Sequence, residues 1–355
     1  MTKLNCSNDV LGVSTPRSGG VQMKRYLPLS LLSLRESPSN KKKRFMKNIA
    51  TVALFAIALV APQIGQAQPV TTAAKPESPS KKPPPSTEIN YTVTEVFPLD
   101  GRFITAFNRS SELALIGDFA GSFVDRKRKV TDFECLMFSS GATELFTTPS
   151  AINNKGDIVG SCHDDLGQRH TGFVRSKSGS LLQFTAPGST STVAYGVNDF
   201  GQIVGQSSGT FGTFSFIRSG DGTQYQNILP PTIEALVQAV AINNSLKVVG
   251  HYFDRTGQHA FLWDNGQFTE LRVPGATGNS DVRQLNNNDQ ALIFATVDGV
   301  GSHYLYSAGN YLRINNPEGY TWQRVIALND NGELTGFAFD DQNNFFDIIA
   351  KPSKK

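Results

Sequence analysis

The chain has 355 residues, 39% of them apolar and 18% charged, with a formal net charge of +3. That excess belongs to the first 67 residues, which hold ten Lys/Arg and two Asp/Glu; the remainder carries 23 basic and 28 acidic residues and sits near −5. Phosphate backbones need a clustered positive face, so this balance argues against nucleic acid as a partner.

Lys41, Lys42, Lys43, Arg44 and Lys47 form a basic block, followed by an apolar run from Ile49 to Ala61 and small or polar residues up to Ala67. This is the order of a secretory signal peptide, with cleavage expected after Ala67 and a secreted or periplasmic product. The apolar run is too short to span a bilayer comfortably, so no membrane span is expected in the mature chain. Residues 1–67 read as leader and signal; Met46 is a natural start, which would make 1–45 a gene-start artefact. Residues 68–88 include KPESPSKKPPPS, Pro-rich and without apolar periodicity, and read as a disordered linker. The folded domain is expected over 89–351. Its basic cluster, Asp125 to Val130, falls in a predicted loop and reads as a solvated tip. Cys135 and Cys162 fall on different strands of neighbouring repeats and, in an oxidising compartment, could pair.

The rest of the chain repeats. Asn108, Asn153, Asn198, Asn243, Asn286 and Asn329 mark six copies of one motif, seen as AINNKGDIVG or YGVNDFGQIVG, at intervals of 45, 45, 45, 43 and 43 residues. A period in this range signals a repeat architecture such as a propeller. Most copies resolve into four short segments rich in Phe, Val, Ile, Tyr and Thr, separated by Gly, Asn, Asp or Pro, which is the pattern of one propeller blade. The Asn-x-x-Gly core reads as a tight turn between the first and second strands. Asn and Asp bond their own backbone and tolerate a left-handed conformation, and Gly adopts it without steric cost. Ser111, Leu246 and Asp289 stand where the other copies carry that Gly. The apolar residue before each Asn is expected to pack between blades. The residue ahead of it is Ala or Gly in every copy but one, Gln284, and suits a crowded inner strand. At the ends, Tyr91 to Leu99 looks like a fourth strand lacking the first three, and the last copy supplies three strands lacking a fourth. Pairing them removes the open edges. The prediction is an all-β, six-bladed β-propeller closed by the N-terminal strand completing the last blade.

The units AINNSLKVVGHYFDRTGQHAFLWDNGQ and YGVNDFGQIVG resemble the HAF-type extracellular repeats of bacteria, named for the His-Ala-Phe that stands here at His259, Ala260 and Phe261. The resemblance covers about Phe103 to Ala350. It implies an extracellular location and a repeat architecture; the family has no assigned activity and supplies no catalytic residues. Other copies carry different letters at the tripeptide, which argues against its being a site.

In a four-stranded blade the first-to-second and third-to-fourth turns share a face, and here both are short. The opposite face carries longer loops and crossings such as CHDDLGQRH and PGATGNSD. Function concentrates on long loops set on a rigid scaffold, so the repeated motif is expected to be structural and the site to lie on the other face. Candidate ligand-binding residues there are His163 and Asp254 in loops, with Asp281, Arg283, Trp322 and Arg324 at crossings near the channel mouth. Carboxylates, Arg and an aromatic in a funnel suit sugar binding or acid–base work. His170, His259 and His303 recur at corresponding third-strand positions and read as blade supports. NDNGE, at Asn329 to Glu333, lacks the remaining ligands of a calcium loop and reads as the repeated turn. No metal or cofactor is expected, and no phosphate loop or hydrolase motif stands out. The leading reading is a non-enzymatic binding or interaction module for a glycan, peptide or cell-surface protein. The alternatives are a propeller hydrolase or lyase acting on an extracellular polysaccharide, and a purely structural surface protein.

Overall fold

A computed structural model describes residues 87–98, 101–136, 145–164, 169–210, 212–229, 236–278 and 280–353. The leader and signal segment, and the linker as far as residue 86, lie outside the described residues. No helix among the described residues is long and apolar enough to cross a membrane.

The described chain opens with β1 (Thr87–Ile89) and β2 (Tyr91–Pro98) and then makes six blades. Blade 1 is β3 (Phe103–Phe107), β4 (Leu113–Ile116), β5 (Gly121–Val124) and β6 (Val130–Phe133). Blade 2 is β7 (Leu145–Ile152), β8 (Ile158–Asp164), β9 (His170–Arg175) and β10 (Leu181–Phe184). Blade 3 is β11 (Ser191–Val197), β12 (Ile203–Gly209), β13 (Gly212–Arg218) and β14 (Tyr225–Ile228). Blade 4 is β15 (Leu236–Ile242), β16 (Val248–Asp254), β17 (Gly257–Asp264) and β18 (Gln267–Glu270). Blade 5 is β19 (Asp281–Leu285), β20 (Ala291–Val297), β21 (Val300–Ser307) and β22 (Asn310–Ile314). Blade 6 is β23 (Tyr320–Leu328), β24 (Leu334–Asp340) and β25 (Phe345–Pro352). β2 pairs antiparallel with β25 from Tyr91 opposite Pro352 to Pro98 opposite Phe346, so the last blade takes its fourth strand from the start of the domain.

The closure has a part that sequence reasoning missed. β1 pairs in parallel with β22, making blade 5 five-stranded, so Thr87 and Glu88 belong to a strand rather than to the linker. Three residues behind a proline run carry no periodicity that would mark them. Buried Tyr91 donates its hydroxyl to the Gly332 carbonyl at 3.2 Å, fastening β2 to the first turn of blade 6. The basic loop is also more than a solvated tip. Arg128 pairs with Glu95 and lies 5.4 Å from the centre of the Phe97 ring, both on β2.

Positions in each blade are counted from its marker Asn. The inner strands alternate: in β11 and β15 the residues at −7, −5 and −3 are partly exposed along the axis, while those at −6 and −4 are buried between blades. The residues at −1 join the apolar clusters between neighbouring sheets, with Ile242 packed among Val204 and Ile217 of blade 3 and Phe261 of its own blade. The small residue at −2 is demanded by approach. A Cβ on Gly196 would sit 2.8 Å from the Ala241 Cα of the next blade. Each inner strand also shifts register at −3, a β-bulge that re-aims the backbone there.

All six residues at +3 are left-handed, with φ of 57° at Ser111, 88° at Gly156, 74° at Gly201, 62° at Leu246, 59° at Asp289 and 75° at Gly332. Leu246 bears the largest steric cost of these and is 43% exposed, so its side chain returns little by burial. Leu246→Gly is expected to stabilise the domain by about 1 kcal/mol, read as a higher denaturation midpoint with an unchanged slope.

Cys135 and Cys162 form a disulfide with Cα atoms 5.9 Å apart, joining the segment after β6 to the second strand of blade 2 across 27 residues. A loop of that length corresponds to about 3 kcal/mol of stabilisation in the chain-entropy account.

Candidate functional site

The repeated Asn closes a ring. Its Nδ2 donates to the backbone carbonyl of the next marker, from Asn108 to Asn153 (2.9 Å), Asn153 to Asn198 (3.1 Å) and Asn198 to Asn243 (3.1 Å). The circuit continues from Asn243 to Asn286 (3.3 Å), Asn286 to Asn329 (3.0 Å) and Asn329 back to Asn108 (3.2 Å). Each Oδ1 accepts the backbone N–H groups at +2 and +4, as Asn198 does from Phe200 and Gln202, both at 3.0 Å. The second amide hydrogen goes to the +4 side chain: Glu112, Asp157, Gln202, Gln290 or Glu333. Blade 4 carries Lys247 at +4, which cannot accept. Asp289 of blade 5 takes that amide hydrogen at 2.7 Å and pairs with Lys247 at 2.8 Å. Every donor and acceptor of the marker amide is thereby used, which no other side chain of this size can do.

Beside this ring the axis is closed. Asn154 donates to both Asp199 (3.0 Å) and Asp330 (2.7 Å), and Asn287 to both Asp330 (2.8 Å) and Asp199 (3.4 Å), spanning the channel between non-adjacent blades. Burial pushes the Asp199 carboxyl upward, but hydrogen bonds from the Asn154 and Asn244 side chains and the Asn154 N–H outweigh it and hold it below the usual range. The cavity among these residues is about 50 Å³, room for a few waters. On this face the repeated turns bond each blade to the next.

A second set of contacts locks neighbouring blades. The bulge turns the N–H at −4 toward the preceding blade, where a side chain accepts it. Ile104 donates to Asp347 (3.0 Å), Ala239 to Ser215 (3.0 Å), Val282 to His251 Nε2 (3.0 Å) and Val325 to His303 Nε2 (3.1 Å). In blade 2 the −4 residue is Pro149, which has no N–H to satisfy. All four acceptors sit on one rung. Ser215 pairs with Gln206, His303 with Phe294 and Asp347 with Phe337, each at +8 on the second strand, and His251 is itself at +8. His170 and His259 pair instead with His163 and Tyr252 and do not share this role. Their expected equivalence with His303 is corrected by register: His259 stands one rung away, on the other face of the sheet, and His170 two rungs away, farther along the strand.

The six candidate residues divide. Asp281, Arg283 and Arg324 meet on the channel. Arg283 Nη2 bonds Asp281 Oδ2, and Asp281 Oδ1 lies 3.1 Å from His251 Nε2. Burial raises the Asp281 carboxyl, but His251, Arg283 and Arg324 together hold it below the usual range. Burial, then the neighbouring Arg283, lowers Arg324. His303 is pushed down to about 3 by burial, then by Arg283 and Arg324, so its ring is neutral and accepts. Trp322 takes a different place. An extra residue at Gln323 shifts the register and sets the indole between blades 5 and 6, among Leu305, Ile314 and Val325. His163 stacks on Phe146 at 5.0 Å in blade 2, and burial pushes it down to about 4. Asp254 belongs to the loop end of blade 4, bonded to Thr256 and to His259 Nε2 (3.1 Å). A groove of about 370 Å³ beside blade 3, lined by Phe214, Phe216 and Tyr225 and by no charged side chain, escaped the sequence reading because its residues are scattered through strands and turns.

Fold and site together define a six-bladed β-propeller whose axis is plugged on the face of the repeated turns and charged in one sector beyond the plug. No protein-family model matches the chain, and no curated protein matches it. Among solved structures, streptogramin B lyase is 13% identical with a TM-score of 0.39, covering 74% of this chain and 87% of that one. Puromycin hydrolase is 14% identical with a TM-score of 0.47, covering 77% of this chain and 48% of that one. TolB from Acinetobacter baumannii is 10% identical with a TM-score of 0.41, covering 72% and 65%. These likenesses concern fold and carry nothing about activity.

Proposed function

We propose that the protein is an exported, HAF-type binding module that takes part of a glycan, peptide or surface protein at the charged sector of its axial channel. The observation that carries this reading is the convergence of Asp281, Arg283 and Arg324 on partly exposed inner-strand positions. The disulfide supports an oxidising compartment. A hydrolase or lyase needs acid and base groups aimed at one reacting bond. Asp254 and His163 sit in separate networks in blades 4 and 2, which favours binding over catalysis. A glycan and peptide array probed with the full chain tests the proposal. Saturable binding that is weakened at least tenfold by Arg283→Gln is expected, and the absence of any saturable ligand would favour a purely structural role.

A further inference from the structure

The inner-strand residues at −5 and −3 from six blades line the channel, and only Asp281, Arg283 and Arg324 among them carry charge. One carboxylate answers two guanidinium groups, so the sector holds a net +1. Asp281 Oδ2 is engaged by Arg283, and its Oδ1 lies 3.1 Å from His251 Nε2. The Nε–H groups of Arg283 and Arg324 are buried without a hydrogen-bond partner among the described residues. Arg324 makes no ion pair among them either. His303 adds no charge, because its Nε2 is committed to the Val325 N–H. Across the channel, burial keeps the Tyr195 hydroxyl protonated and it is bonded to Gln238, so that side offers neutral polar groups. Buried donors without acceptors are costly, and an anion placed between the two arginines would satisfy them.

We infer that the channel receives one carboxylate group of its ligand between Arg283 and Arg324, a reading that rests on the binding role proposed above. A planar carboxylate matches the guanidinium fork, and its single negative charge balances the single excess positive one. A dianionic phosphate would leave the sector negative.

The test is calorimetric titration of the full chain at pH 7 with glucuronate against glucose, and with a short peptide bearing a free C-terminal carboxylate against its amide. The acid is expected to bind at least tenfold tighter than its neutral counterpart in one pair, and that pair identifies the carboxylate as coming from a sugar acid or from a peptide end. Arg324→Gln is expected to abolish the preference. Asp281→Asn, which raises the local charge, is expected to strengthen it severalfold and provides a second variant should Arg324→Gln fold poorly. Equal binding of acid and neutral forms, or a preference that survives in Arg324→Gln, overturns the inference. A neutral array ligand that binds saturably without acid preference would leave the binding role standing while removing the carboxylate; no binding of any probe removes both.

Discussion

Replacing Asn198 with alanine is expected to destabilise the propeller by about 3–4 kcal/mol, equivalent to a fall in melting temperature of about 10 °C. The residue is 3% exposed and makes four hydrogen bonds, two accepted from its own turn and two donated to Gln202 and the Asn243 carbonyl. Alanine leaves these partners buried and unanswered, which costs more than the bonds themselves would suggest. Asn198→Asp is expected to be at least as damaging at neutral pH, because a carboxylate keeps the acceptor but loses both donors and faces the Asn243 carbonyl. A loss below about 1 kcal/mol in both variants would mean that the ring of amides does not hold the blades together.

The second large effect concerns Asp347 and depends on pH. Burial raises its carboxyl to about 7, with the Ile104 N–H opposing; Oδ1 has no hydrogen-bond partner among the described residues. Below about pH 4 the group is protonated in both folded and unfolded chains, and its contribution to stability is complete. Between about pH 4 and 7 the unfolded chain gives up the proton while the folded one keeps it, so stability falls as pH rises. Above that window the loss levels off at about 4 kcal/mol. Asp347→Asn keeps an acceptor for Ile104 and removes the charge. It is expected to match the parent near pH 4 and to exceed it by about 4 kcal/mol at pH 8 in denaturant titrations. His303 has the opposite sign. Its pKa is depressed to about 3, so its contribution is complete above the unfolded value near 6.5 and is lost as pH falls through the folded one. The two slopes oppose each other in the parent between about pH 4 and 6.5. In Asp347→Asn the His303 slope, reinforced by the depressed His163, is no longer opposed by Asp347, and melting temperature should rise with pH across that window. A variant no more stable than the parent at pH 8 would contradict this account of the blade 6 to blade 1 junction.

Much of the fold was legible because it is written six times. Spacing of the marker Asn set the number of blades, and the segments left over at the two ends, Tyr91 to Leu99 and the three final strands, implied the closure. The apolar −1 and small −2 residues showed which way the inner strand faces. What stayed hidden depends on single-residue register and on contacts between distant segments. Gln323 is one added residue, and it moves Trp322 from the channel to the space between blades. Asp347, Ser215, His251 and His303 are three residue types at three marker offsets, so their shared rung has no sequence signature. β1 is three residues pairing in parallel with a strand more than two hundred positions away. Within the site, Asp281, Arg283 and Arg324 were legible because they stand at crossings on the long-loop face that lead into the channel mouth. His163 and Asp254 were chosen by loop length alone, and loop length does not say where a side chain points.

The central claim is that the first strand of the domain seals the last blade of a closed ring. Hydrogen exchange of backbone amides in the full chain addresses it directly. The amides of β2 that pair with β25 should exchange as slowly as those of β24 and β25, at the rate of global unfolding. Exchange of β2 by rapid local opening, with β24 and β25 still protected, would contradict it.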